Sequence, residues 1–471
     1  MGQLTLEVCG DEAAAVKPHF EAAERLSQVS FVVSSRLAIQ KAFRKALGQI
    51  RQPTESITAA LGTAFEERER LSKHLSTPPG TRKIIGNRTM DAEAIVADWV
   101  NYSGFLASLG GCWYSDTSNE GGTPRARPDS LIKSEIDSKQ RLKAFLKDQC
   151  RYLASESSIL RETVSRMLST DLSPRLFGLL FEQLDDITSK LFDTKGQPVC
   201  KDNNTLFVDQ AVILLRGLVD RITEPVDIPQ YVDFGGILQS FCEYLERLGG
   251  EPVKMQIKAK MCLLCELVAG KRDVLNLKQE VRVMNNLLSY VHRWAAEGIN
   301  LHSKGDPFAS ESFNTFQRYA LRAMANITQH LPLLVQSEPD TDPSEAKSKL
   351  FKSYFEYFTW VLKKCRIMDN LDADRRPLNV NKDLAVLLQK SKEHVKDLGP
   401  LRDLAITTIS NLVNANLESG LPYCLPMACS DDVRARTSFL YLFTRMLEQR
   451  VDFEDLDDAL PLDRNERIVE V

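Results

Sequence analysis

The chain is poor in everything that announces chemistry. No apolar run approaches the ~18–20 residues that a membrane span requires. The first sixteen residues, Met1 to Val16, show no basic stretch followed by an apolar one, so no signal peptide is expected. Only six histidines occur in 471 residues (His19, His74, His292, His302, His330 and His394), and none stands in an H-E-x-x-H frame. There is no G-x-S-x-G, no G-x-x-x-x-G-K-[ST] phosphate loop and no G-x-G-x-x-G. The pairs Gly110-Gly111 and Gly235-Gly236 read as helix ends or turns. The ten cysteines have no framework spacing and read as reduced, mostly buried thiols of a cytosolic protein. A net charge of −4 supplies no global field for nucleic acid or anionic lipid. Strands are also missing: no series of alternating Val/Ile/Thr runs is bounded by hairpin dipeptides.

What remains is helical periodicity. Ser173-Pro174 reads as an N-cap with proline in the first turn. Leu176, Leu180, Leu184, Ile187 and Leu191 then form one stripe. A polar turn over Asp193 to Asn204, with Gly196 and Pro198, precedes Phe207, Val208, Ala211, Leu214, Leu215 and Leu218. The rhythm returns in Ile257, Met261, Leu264 and Val268, then in Val281, Met284, Leu288, Val291 and Ala295. Phe351, Tyr354, Phe355, Phe358 and Leu362 make an aromatic stripe. Leu401, Ala405, Thr408, Ile409 and Leu412 follow, then Phe439, Leu440, Phe443 and Leu447. Successive helices joined by short turns pack against their neighbours, and over this length they favour a stacked array over one bundle.

The expected fold is all-α, an extended α-solenoid of stacked antiparallel helices of HEAT/armadillo-like type. Its segments are expected as an uncertain N-terminal segment (1–36), helical repeats (37–115) and a disordered loop (116–138). Helical repeats follow over 139–300 and 301–450, the latter with mobile loops near 337–344 and 369–381. Residues 451–471 form an acidic end segment with eight acids against two bases.

Three features could carry chemistry. Cys262 and Cys265 form a C-x-x-C, but no further ligands stand at a matching spacing, and i and i+3 share one helix face. A structural role is expected. Arg36, Lys41, Arg44, Lys45 and Arg51 recur on one presumed helix and could meet phosphates or acidic lipid heads, although a solvated helix face is the stronger reading. Trp99, Trp113, Trp294 and Trp360 read as anchors at helix contacts.

Several collinear segments resemble neurofibromin and its fungal relatives, the Ira proteins, which are large Ras GTPase-activating proteins. Leu404 to Leu421 (LAITTISNLVNANLESGL) is similar to the segment just upstream of their catalytic domain. Asp432 to Leu447 (DVRARTSFLYLFTRML), Asp452 to Leu456 and Leu462 to Arg467 continue the resemblance. Upstream, Trp99 to Gly111 (WVNYSGFLASLGG), Leu172 to Phe207, Gln256 to Leu263, Ala269 to Asp273 and Glu345 to Phe355 also fit in order.

The resemblance implies helical repeats leading into an all-helical activating domain, with 451–471 as its truncated acidic start. It implies that the chain is not itself an enzyme. The family's arginine finger, a guanidinium that neutralises charge on the transferred phosphoryl group, would lie beyond the match. Phe43-Arg44-Lys45 superficially looks like the family's arginine motif but sits at the wrong end of the match. No catalytic residue, cofactor or metal is expected. Expected partners are the rest of the parent chain, Ras through the activating domain, an EVH1-type adaptor and a second copy in a homodimer. Nucleic acid is not expected, and membrane contact only peripherally; the expected location is cytoplasmic. Asp452, Glu454, Asp455, Asp463, Arg464 and Arg467 are the candidate partner-binding residues.

Overall fold

The computed structural model describes residues 18, 42–48, 50, 54–78, 80–86, 88–113, 129–225, 228, 231–248, 251–275, 277–302, 307–335, 342–373 and 401–451. The chain divides into two compact units. The first comprises Met1–Phe241 with Asp273–Asn276, the second Cys242–Arg272 with Leu277–Val471.

In the first unit α1 (Glu55–Ser72) is followed by a two-stranded hairpin, β1 (Arg82–Ile85) and β2 (Arg88–Asp91), then by α2 (Ala92–Leu109) and a 3-10 turn, Gly110–Trp113. The strands are antiparallel, with Arg82 opposite Asp91 and Ile85 opposite Arg88. This hairpin corrects the expectation of no strands. Each strand has four residues, too few for an alternating run to stand out, and Gly86 makes the turn at φ +60°. Next come α3 (Asp129–Tyr152), α4 (Ser158–Asp171), α5 (Phe177–Ser189) and α6 (Asp202–Arg221). Helices α2, α4 and α6 pack in succession, and α3 packs on both α4 and α5.

The division between units falls inside α7 (Phe234–Arg247). The second unit continues with α8 (Glu251–Gly270), and the short α9 (Arg272–Leu275) follows in sequence. Then come α10 (Glu280–His302), α11 (Pro307–Ile327), α12 (Pro343–Ala373), α13 (Leu401–Ala415), α14 (Leu417–Ala428) and α15 (Val433–Val451). One row of contacts runs α8–α11–α13–α15. The partner helices α10, α12 and α14 pack on α11, α13 and α15 respectively, and α12 packs on α14.

Local chemistry explains the helix starts. Thr54 Oγ1 accepts from Ile57 N at 3.3 Å, a carboxylate oxygen of Asp91 accepts from Ala94 N at 2.8 Å, and Ser157 Oγ accepts from Leu160 N at 3.4 Å. Each satisfies a first-turn donor that has no partner within the helix. Ser173 stands at the expected N-cap position with Pro174 in the first turn, but its side chain makes no cap bond. Pro174–Leu176 is a 3-10 turn without a side-chain cap, and the Ser173 hydroxyl packs against Gly111, where a Cβ would lie 2.1 Å from it. The backbone N–H of Ser173 instead donates to Ala107 O, tying this turn to α2.

The apolar stripes face inward. Leu176, Leu180, Leu184 and Leu191 are buried, as are all six residues from Phe207 to Leu218 in the next stripe. Trp99, Trp294, Phe181, Phe241 and Phe358 are among the largest fully buried side chains. Burying side chains of this kind stabilises the fold by about 1.5–3 kcal/mol each. Of the loops expected from composition, 116–138 gives way to helix at Asp129, 337–344 at Pro343, and 369–381 is helical to Ala373. Their remaining parts lie outside the described residues, apart from Asp342, which lies just before α12.

Candidate interaction sites

The expected partner-binding residues Asp452, Glu454, Asp455, Asp463, Arg464 and Arg467 lie outside the described residues, which end at Val451. So do Arg36, Lys41 and Arg51 of the basic cluster. Arg44 is described and is turned inward. Its Nε lies 2.8 Å from Asp171 Oδ2, and the side chain crosses Gly104, where a Cβ would come within 2.8 Å of the guanidinium. Asp171 ends α4 and is itself almost buried. Arg44 therefore ties the segment before α1 to α4 and does not present a charge to phosphate or lipid.

Arg68 is the most enclosed cation among the described residues of the first unit. It pairs with Asp148, donates to Ser103 Oγ at 3.3 Å, and lies 5.3 Å from the Trp99 ring centre and 5.1 Å from that of Phe145. With the Gln149 amide turned so that its oxygen faces the guanidinium, two further bonds of 3.1 and 2.8 Å form. Tyr152 meets Trp99 edge-on at 5.0 Å. Arg221 performs a related task on α6. It donates to Ser169 O and Leu172 O at 3.1 and 2.6 Å, satisfying the end of α4, and stacks over Phe177.

In the second unit, Cys262 and Cys265 lie on α8 with Cys242 of α7 beside them, all fully buried. Burial raises the Cys242 and Cys262 thiols well above their ordinary range, and a hydrogen bond with Cys265 adds to the effect on Cys242. A thiol held protonated is a poor nucleophile and a poor metal ligand. No group of three or more His, Cys, Asp or Glu side chains among the described residues could hold a metal ion.

Trp294 sits in a charged frame. Its indole N–H donates to Glu246, the Lys258 ammonium lies 5.1 Å from its ring centre, and Glu297 accepts from Lys258 at 3.3 Å. Burial lowers the Lys258 pKa, opposed by Glu297. His292 is enclosed by the rings of Tyr354 at 4.6 Å and Tyr357 at 5.3 Å. Burial pulls its pKa from 6.5 down to about 4, and its buried Nε2 has no hydrogen-bond partner. Tyr357 donates to Gln317, whose amide donates to Ala295 O at 2.7 Å. Trp360, by contrast, is only half-buried on α12.

Asparagine builds a third feature, which composition and spacing gave no reason to expect. Residues 331–335 leave α11 in extended form, with Leu331 and Leu333 buried and Pro332 and Leu334 exposed. On one edge, Asn416 Nδ2 donates to Leu331 O at 3.0 Å and its Oδ1 accepts from Leu333 N at 2.8 Å. On the other, Asn285 Nδ2 donates to Pro332 O at 3.0 Å and its Oδ1 accepts from Leu334 N at 3.0 Å. Asn285 is also anchored to its own helix, at Val281 O (2.8 Å), and Asn416, between α13 and α14, to Leu412 O of α13 at 2.9 Å. Two side chains thus take the places of two neighbouring strands.

These features define a protein of packed helices whose polar groups are spent on holding segments together. No family model matches the chain. Its sequence is 22% identical over 377 residues to "Inhibitory regulator protein IRA2" of Saccharomyces cerevisiae, covering 74% of this chain and 11% of that protein. It is 20% identical over 462 residues to "Inhibitory regulator protein IRA1" of the same yeast, covering 89% of this chain and 14% of that one. The chain therefore matches only a small part of either relative's length. The similarity is distant but runs over most of the chain.

Proposed function

We propose that the chain is a non-catalytic helical scaffold segment of a neurofibromin-like negative regulator of Ras signalling. The observation that carries this reading is similarity to two inhibitory regulators across 74% and 89% of the chain. The packing supports it. Within each unit, helices stack in rows on their neighbours, which is how an α-solenoid of HEAT/armadillo-like repeats buries its apolar faces. The scaffold positions an activating domain carried elsewhere in the parent chain. Ras is met through that domain, while an EVH1-type adaptor and a second copy are partners of the assembled protein.

The charged and polar clusters favour support over catalysis, because Arg44, Arg68 and Arg221 are all consumed by internal contacts. The test is single-turnover hydrolysis of Ras-bound GTP with this chain alone and with a longer chain carrying the activating domain. The isolated chain should leave the intrinsic rate unchanged, and the longer one should raise it. Acceleration by the isolated chain would overturn the scaffold reading.

A further inference from the structure

We propose that the outer face of the β1–β2 hairpin, with the adjoining end of α1, is a docking surface for an anionic lipid bilayer. Its charge comes from one stretch of sequence. From Arg70 to Met90 stand five bases (Arg70, Lys73, Arg82, Lys83 and Arg88) and no acid, although the chain as a whole carries 64 acids against 60 bases. The stretch covers the last turn of α1, the connection after it and nearly all of the hairpin.

The fold makes a surface of this stretch. Ile85 and Met90 are buried at 4% and 8% exposure and form the inner side of the hairpin, whose β2 packs on α2. Strand alternation puts Arg82 and Ile84 on the opposite side, with Thr89 across from Ile84. Arg82, Ile84 and Thr89 are all exposed. At 78%, Ile84 is the most exposed large apolar side chain among the described residues. The Arg70 guanidinium lies against the hairpin turn, in the space that a Cβ on Gly86 would take, and Lys73 is exposed at the C-cap of α1. Two acids at the margins are already engaged. Glu67 pairs with Arg70, and Asp91 accepts from Ala94 N at 2.8 Å at the start of α2. Lys73, Arg82 and Lys83 form no ion pair with any described residue.

The occupant follows from the two chemistries together. A bilayer offers anionic headgroups above an aliphatic layer, so the cations meet phosphate and carboxylate while Ile84 enters the boundary beneath them. A nucleic acid would answer the charge alone. Between Phe65 and Trp99 there is no Phe, Tyr or Trp on which a base could stack. The whole chain is close to neutral, so the attraction is local and depends on the hairpin facing the membrane.

The test is sedimentation of the whole chain with vesicles of phosphatidylcholine alone and of phosphatidylcholine carrying about 30% phosphatidylserine. The anionic vesicles should bind about tenfold better, and added salt should release the chain. Arg82→Glu with Lys83→Glu should abolish that preference. If this variant does not fold, Lys73→Glu, outside the hairpin, takes its place and should weaken binding severalfold. Ile84→Ser should also weaken binding, and Ile84→Trp should strengthen it, because tryptophan favours the membrane interface. Equal binding to neutral vesicles, or binding indifferent to the charge reversals, would overturn the proposal. Binding that ignores both changes at Ile84 and is competed away by poly-glutamate or single-stranded DNA would also overturn it, and would assign the patch to an acidic macromolecule. Failure here leaves the Ras-scaffold reading untouched, since that rests on the hydrolysis assay.

Discussion

Arg68 and His292 show two ways of keeping an ionisable group inside helices. Around Arg68, Asp148, Ser103 and the faces of Trp99 and Phe145 replace the water shell of the guanidinium. Arg68→Ala should lower the unfolding free energy by about 2–3 kcal/mol, read from the denaturant midpoint. The loss stays below that of a fully buried pair because Asp148 is 35% exposed and keeps part of its hydration. His292 takes the other course and stays neutral. Its pKa falls from 6.5 to about 4, first through burial and then through the charge of Arg293. Below 6.5 the unfolded chain binds a proton that the folded chain refuses until about pH 4. Stability is therefore fully present above 6.5 and drains away as pH falls through that window, by at most about 3 kcal/mol. His292→Phe should flatten this part of the stability–pH curve, and an unchanged slope would contradict the burial argument.

At the scale of elements, close approach sets the helix contacts. Gly217 of α6 faces Ser169 of α4, where a Cβ would sit 2.5 Å from the serine Cβ. Helix propensity alone would make Gly217→Ala stabilising by roughly 1 kcal/mol. The clash should reverse the sign, to a net loss of about 1–2 kcal/mol. Combining it with Ser169→Gly should recover most of that loss, as a double-mutant cycle in thermal unfolding would show. Periodicity located most of the buried stripes but not every member. Val281, Leu440 and Leu447 are exposed, and the buried face of α15 is Phe439, Leu442, Phe443 and Met446. A helix apolar on both faces does not disclose which one meets a neighbour. Helix α14 holds Pro422 and Pro426 inside it, although proline ordinarily ends a helix. Its place between α12 and α15 holds it in that conformation.

At the scale of the molecule, thiol accessibility tests the burial pattern of both units. Of the described cysteines, Cys200 and Cys429 are exposed, while Cys112, Cys150, Cys242, Cys262, Cys265 and Cys424 are buried. With Cys9 and Cys365 replaced by serine, native protein should react rapidly at two thiols with a disulfide reagent. The other six should react only after denaturation. Rapid reaction at Cys262 or Cys265 would mean that the C-x-x-C is not core. No helix among the described residues is long and apolar enough to cross a membrane. The similarity to the two yeast regulators extends over both units and so concerns the fold as a whole more than any one cluster.

The sequence by itself determined that the chain is helical, where its main apolar stripes run and which family it resembles. Those properties are local or collinear, because the apolar repeat of a helix is written within a few consecutive residues. Only the tertiary structure decided that Arg44 and Arg68 are internal cations. It also decided that the hydroxyl of the N-cap residue Ser173 packs against Gly111 instead of bonding to the first turn, and that Asn285 and Asn416 grip one extended segment. Each of these depends on partners far apart in sequence, as Arg68 and Asp148 are. Side-chain amides and guanidiniums carry no periodic signature, so their roles exist only once distant helices have been brought together.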